Sequence, residues 1–155
     1  MVTVRPMTDA DLPDVMILEH TLFPEDAWSE GTLRGELAEQ PATRHYVVAL
    51  DEGEIVGYAG LLAVGGDGDV QTIGVRADRQ GRGVGAVLLT ELLGESARRE
   101  CRQVFLEVRA DNPRAQKLYQ RFGFVQIGIR KRYYQPSGVD AIVMRRPGTG
   151  EDNDA

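Results

Sequence analysis

The sequence predicts a single α/β domain, a mixed central β-sheet with helices on both faces. Three observations carry that reading. At 155 residues the chain has the length of one domain. Apolar periods of two and of 3.6 alternate along it in the order βααβββαβαββ. A glycine-rich turn, Gln80-Gly81-Arg82-Gly83-Val84-Gly85-Ala86, stands between a strand pattern and a helix pattern.

The elements follow in chain order. Residues 2–5 read as a short strand. Thr8 can cap a helix over residues 9–20, with Asp9 and Asp11 near its positive end. Leu12, Val15, Met16 and Glu19 recur at helical spacing. Ser29 caps a second helix that ends near Gln40-Pro41. Residues 45–50 and 55–64 form a hairpin around Asp51-Glu52-Gly53-Glu54, and residues 65–69 form a loop. The strand 70–75 leads into the glycine turn. The helix after it runs to about Arg99, with Val84, Leu88 and Leu92 on its inner face. Residues 103–108 are the next strand. Asn112 caps a further helix with Pro113 at its first position, and Gly123 stops it. Residues 124–131 and 139–145 make a last strand pair. The domain is expected to span residues 1–147, and the polar, acidic segment 148–155 is expected to be disordered.

Composition narrows the functional classes. A net charge of −6 argues against broad binding of nucleic acid or anionic membrane and permits a basic peptide as substrate. No apolar run approaches about 18 residues, so no membrane span is expected. One cysteine, Cys101, cannot form an internal disulfide, and no signal sequence is evident; the expected location is the cytoplasm. His20 and His45 lack metal-ligand spacing, so no metal is expected.

The glycine turn carries the chemistry. Glycines let backbone N–H groups approach a ligand without Cβ interference. The helix starting there adds unpaired N–H donors and a positive dipole end, which together suit a pyrophosphate. Gly81, Gly83 and Ala86 also match the dinucleotide pattern G-x-G-x-x-A, although no acidic residue follows a second strand at the required place. A Walker loop is excluded, because no Gly-Lys-Ser/Thr follows.

Taken with Phe105-Leu106-Glu107-Val108-Arg109-Ala110-Asp111-Asn112-Pro113 and Leu118-Tyr119-x-x-Phe122-Gly123-Phe124, the turn resembles the acyl-CoA loop of the GNAT N-acetyltransferases. Phe23-Pro24, Trp28-Ser29-Glu30 and Arg132-Tyr133-Tyr134 are similar to the RimI branch of that family, which acetylates the α-amino terminus of ribosomal proteins. The resemblance covers roughly residues 2–146. It departs from the branch at Glu25-Asp26-Ala27, which separates Phe-Pro from Trp beside the acceptor site.

The resemblance implies acetyl-CoA as co-substrate and a protein or peptide N-terminus as acceptor. It implies that Ile73, Gly74 and Val75 bind the pantetheine arm, that Gly81, Arg82, Gly83, Val84, Gly85 and Ala86 wrap the pyrophosphate, and that Asn112 touches the cofactor. Glu107 becomes the general base, Tyr119 the general acid, and Trp28, Tyr133 and Tyr134 acceptor-side residues. These types suit the chemistry. One carboxylate can take the proton of an α-ammonium near neutral pH, and a phenol can protonate a departing thiolate. Acetylation of a lysine or a small amine, and a non-catalytic acyl-CoA-binding module, stand as alternatives. The sequence leaves oligomeric state open.

Overall fold

The computed structural model describes residues 1–148. They form seven strands and four α-helices in the expected order. These are β1 (Val2–Pro6), α1 (Leu12–Leu22), α2 (Glu30–Leu37), β2 (Arg44–Asp51), β3 (Glu54–Val64), β4 (Asp67–Val75), α3 (Val84–Arg98), β5 (Gln103–Arg109), α4 (Pro113–Arg121), β6 (Val125–Arg130) and β7 (Ala141–Pro147). They build one sheet of order β1-β2-β3-β4-β5-β7-β6. All neighbours run antiparallel except β4 and β5.

The period-2 alternation of β2 sorts two cores. Tyr46 and Val48 pack with α1 and α2 on one face; Val47 and Ala49 pack with α3 on the other. Leu88, Leu89 and Leu92 of α3 are fully buried on that second face. Each contributes about 1.5–3 kcal/mol through removal from water.

Several boundaries shift for local reasons. The first helix begins at Leu12, because Asp9–Asp11 forms a 3₁₀ turn. Pro13 lacks an N–H and sits in the first turn, where none is needed. The Asp11 carboxylate accepts the Thr8 N–H (2.8 Å) and two Arg5 bonds at 2.8 Å, which fixes the entry. Helix α2 ends at Leu37, and Gln40 instead ties its carboxamide to the Met7 carbonyl and the Tyr46 N–H. Strand β4 starts three residues earlier than the expected strand, at Asp67. The preceding turn uses only Gly65 and Gly66, both at positive φ (62° and 85°), a pairing that suits a two-residue hairpin. At the far end Gly148 donates its N–H to the Arg102 carbonyl (2.6 Å). Residues 149–155, the rest of the segment expected to be disordered, lie outside the described residues.

The feature that positions the site is a splay in the sheet. The parallel register of β4 with β5 runs from Asp67↔Gln103 to Val70↔Leu106. Beyond it β4 stays paired with β3 as far as Val75, and β5 stays paired with β7 as far as Arg109. The two middle strands therefore part, and their facing backbone groups are left open.

Candidate active site

A cleft of about 880 Å³ occupies the splay. Ile73, Gly74 and Val75 form one wall, Leu106, Glu107, Val108 and Arg109 the other. The Arg76 N–H bonds to the Val56 carbonyl on the β3 side (2.8 Å). Strand alternation then turns the backbone of Val75, and of Ile73 two residues before it, toward the gap. Gln80 confirms this direction, since its carboxamide reaches the Val75 carbonyl (3.0 Å). The Val75 N–H is thus aimed where a carbonyl oxygen in the cleft could meet it.

At the cleft's end the glycine turn takes a shape that only glycine holds easily. Gly81 and Gly83 have φ of 78° and 87°, in the left-handed region. Gly83 is the N-cap of α3, with no side-chain cap and no acidic residue in the first turn. The first-turn N–H donors of α3 are consequently left for an anion. Gly85 answers a different demand: a Cβ there would stand 3.2 Å from Leu118 of α4, so its bareness lets α3 and α4 close on each other. Val84 turns its side chain into the core, Arg82 is exposed, and neither is part of the cleft lining.

Helix α4 supplies the opposite rim. Asn112 caps it by accepting the Ala115 N–H (3.2 Å), which holds the rest of its carboxamide at the cleft. Arg114, Lys117 and Arg121 also line the cleft, and Arg114 reaches Gln80 (3.3 Å). Their spacing of three and four residues puts three cations on one helical stripe. This stripe is missed from the sequence alone, because three cations on one helical face look like an ordinary solvated face. The set of uncapped N–H donors, left-handed glycines and a cationic stripe fits a pyrophosphate-bearing ligand.

The two expected proton carriers meet in the same cleft. Glu107 is half-buried, and its Oε1 lies 3.1 Å from Arg130 Nε. Tyr119 is 5% exposed, with its ring edge-to-face on Phe124 at 5.9 Å. Burial, and then the nearby Tyr134, hold the Tyr119 phenol above its ordinary range, so it keeps its proton at neutral pH. Trp28 and Tyr134 line the cleft with Phe23. Tyr133, predicted on the acceptor side, stands outside that lining, edge-to-face on Tyr134 at 5.1 Å, and the neighbouring Glu107 holds its phenol above the ordinary range. Burial and the Glu107 charge push the Tyr134 phenol up to about 12.

The segment that departs from the expected pattern is anchored to the site. Asp26 pairs with Arg109, whose guanidinium also lies over the Tyr134 ring at 5.2 Å and binds Asp111. Glu19, buried beneath, accepts the Trp28 N–H (2.9 Å) and the Tyr58 hydroxyl. Neither contact is readable from spacing, because each joins residues far apart in sequence. Cys101 lies outside the cleft, and burial raises its thiol, which leaves it protonated and a poor nucleophile. His45, Glu91 and Glu95 bring possible ligand atoms within 4.8 Å, yet Arg98 and Arg99 already hold both carboxylates.

A splayed α/β sheet, with the uncapped N-terminus of α3 at its mouth and Glu107 and Tyr119 inside, is the architecture of an acetyltransferase fold. The chain belongs to the acetyltransferase (GNAT) family, whose model matches residues 12–124. It is 44% identical to N-alpha-acetyltransferase RimI of Mycobacterium tuberculosis, over 94% of this chain and 92% of the relative. It is 32% identical to the ribosomal protein bS18-alanine N-acetyltransferase of Escherichia coli, over 95% and 98% of the two chains. The crystal structure of the ribosomal-protein-S18-alanine N-acetyltransferase from Escherichia coli superposes with a TM-score of 0.81, at 30% identity, covering 95% of this chain and 94% of that one.

Proposed function

We propose that this protein transfers the acetyl group of acetyl-CoA to the N-terminal α-amino group of a protein, a ribosomal protein beginning with a small residue such as alanine. The splay between β4 and β5 carries the reading: it gathers the anion-binding end of α3, Glu107 and Tyr119 around one cleft. The relatives named for alanine N-acetylation supply the acceptor class.

When bound, acetyl-CoA supplies the thioester carbonyl that the amine attacks. The residues of this chain do the rest. Gly81, Gly83, Gly85 and Ala86, with Arg114 and Lys117, hold the pyrophosphate at the α3 terminus. Ile73, Gly74 and Val75 offer backbone groups to the pantetheine arm, and the Val75 N–H meets negative charge developing on the carbonyl oxygen. Glu107 takes one proton from the α-ammonium, whose reference pKa of about 7.7–8.0 lets it ionise near neutrality. Tyr119 gives its proton to the departing sulfur, and the second proton that the nitrogen sheds as the amide forms restores the Tyr119 phenol. Phe23, Trp28 and Tyr134 grip the arriving peptide end. Holding amine and thioester together removes much of the barrier by proximity. No step in this route assigns a role to a metal.

The test compares three acceptors: an Ala-initiated peptide, the same peptide with its N-terminus blocked and an internal lysine added, and a polyamine. Thiol release with the first alone is the expected result, and kcat/KM for it falls in Trp28→Ala and Tyr134→Ala. Preferential turnover of the blocked peptide or the polyamine would overturn the acceptor assignment. Binding of acetyl-CoA without turnover of any amine would instead mark a non-catalytic acyl-CoA-binding module.

A further inference from the structure

We propose that Asp69, on the strand beside Glu107, is the onward acceptor of the proton that Glu107 removes from the substrate ammonium. The inference rests on the reading of Glu107 as the base, and it concerns a carboxylate that this reading leaves unused.

Placement comes from the sheet. Asp69 is paired in register with Phe105 across the parallel β4–β5 contact, so Glu107 is its diagonal neighbour. Gly68 and Val70, on either side of Asp69, face α3: a Cβ on Gly68 would meet Ser96, and Val70 packs in the α3 core. Asp69 therefore projects to the opposite face. Glu107 shares that face, since Arg109, two residues on, pairs there with Asp26 from the α1–α2 connection. Strand spacing and rise put the two Cα atoms roughly 8 Å apart, a gap that an Asp and a Glu leaning together reduce to the span of a short hydrogen-bonded link.

The surroundings give Asp69 no cation of its own. It is half-buried and joins no ion pair among the described residues. The groups that face it are Tyr46 from β2, Glu107 from β5, Arg130 from β6 and Tyr133 from the β6–β7 connection, with the Gln71 carboxamide from its own strand. Its β3 partner, Leu62, does not titrate. Arg130 is the sole positive charge in that set, and it is committed to Glu107 at 3.1 Å. Burial, and then the Glu107 charge, push the Asp69 carboxyl up to about 6. That brings it nearer to an α-ammonium than an ordinary aspartate would be.

The proton count sets the task. Acetylation of an ammonium by a thioester yields an amide, a thiol and one free proton. An N–H bond of the ammonium breaks, its electron pair stays on nitrogen, and an O–H bond forms on Glu107. For Glu107 to recover its charge and its bond to Arg130, that O–H must break again. Asp69 takes the proton, forming its own O–H, and later releases it to water. Asp69 is thus a positioning residue that acts through Glu107.

The experiment measures kcat/KM for an Ala-initiated peptide from pH 5 to 9 in wild type, Asp69→Asn, Asp69→Glu and Glu107→Gln. Expected in Asp69→Asn are a 10- to 100-fold loss in kcat, loss of the inflection near pH 6, unchanged acetyl-CoA affinity, and partial recovery in Asp69→Glu. The thermal midpoint of Asp69→Asn should rise above pH 6. A carboxyl whose folded pKa is raised disfavours the fold once ionised, so removing the charge helps; a merely structural aspartate would give the opposite sign. An NMR titration of the Asp69 carboxyl should show its pKa falling in Glu107→Gln, as a like charge is removed. Near-wild-type kcat and pH profile in Asp69→Asn, with Glu107→Gln inactive, would overturn this inference and leave the acetyltransferase reading intact. An Asp69 titration that does not respond to Glu107→Gln would overturn it equally. Normal turnover by Glu107→Gln would overturn the base assignment, and this inference with it.

Discussion

In the proposed route Glu107 and Tyr119 divide one proton-transfer problem between two elements, a strand and a helix. Glu107 stands on β5 where the sheet has opened, with Arg130 paired to its carboxylate. Tyr119 stands on α4 and is nearly buried. The expected consequence is specific. Glu107→Gln should lower kcat by about 10²–10⁴, with acetyl-CoA affinity close to wild type. Tyr119→Phe should lower kcat to a similar degree, because phenylalanine preserves the edge contact with Phe124 and removes only the hydroxyl. Single-turnover rates at several pH values check both, and near-normal rates in the two variants would remove these roles. Both residues were candidates from the Phe105–Phe124 motif, and the structure brings them to one cleft. Asp69 and Asp26 were not: their meaning lies in neighbours on other strands, and nothing in the local sequence announces them.

At the scale of elements, the site is built from the end of one helix, the stripe of another and a gap between two strands. The order of elements was legible from periodicity and punctuation, and Ser29, Asn112 and Gly123 mark helix ends where caps or positive φ are found. What the sequence concealed was the splay. Strand β4 breaks register with β3 at Gln71, between Val70 and Thr72, and only the pairing shows that β4 and β5 part after Val70 and Leu106. The cationic stripe of α4 was concealed for another reason, since Arg114, Lys117 and Arg121 look like an ordinary solvated face until the cleft is seen beside them. Two expectations follow here. Gly83→Val forces a branched residue into φ of 87°, at a cost of about 1–3 kcal/mol, and should weaken acetyl-CoA binding about tenfold or more. Arg114→Ala with Lys117→Ala should raise the KM for acetyl-CoA and flatten its salt dependence, leaving kcat little changed, because these cations act on the pyrophosphate at a distance from the reacting bond. Calorimetry and steady-state kinetics across ionic strength separate the two effects.

For the whole molecule, the proposed route is a direct transfer from thioester to amine across the open sheet. Cys101 plays no part in it, lying at the start of β5 outside the cleft with its thiol held protonated. Cys101→Ala should keep full activity, and intact mass during turnover should show no acetylated enzyme; ping-pong kinetics would contradict the route. The end of α1 and the connection that carries Asp26 and Trp28 line the cleft, so that under the proposed function choice of amine is a property of the assembled domain rather than of one residue. A chain terminus offers its amine with a peptide bond immediately behind it, and a lysine side chain offers only methylenes. The most direct measurement uses a single peptide that carries both a free N-terminal alanine and an internal lysine. It is incubated with acetyl-CoA and the protein, and the acetyl group is located by tandem mass spectrometry. The expected result is acetylation of the alanine α-amine with the lysine left free. Acetyl groups on the lysine, with the terminus unmodified, would contradict it.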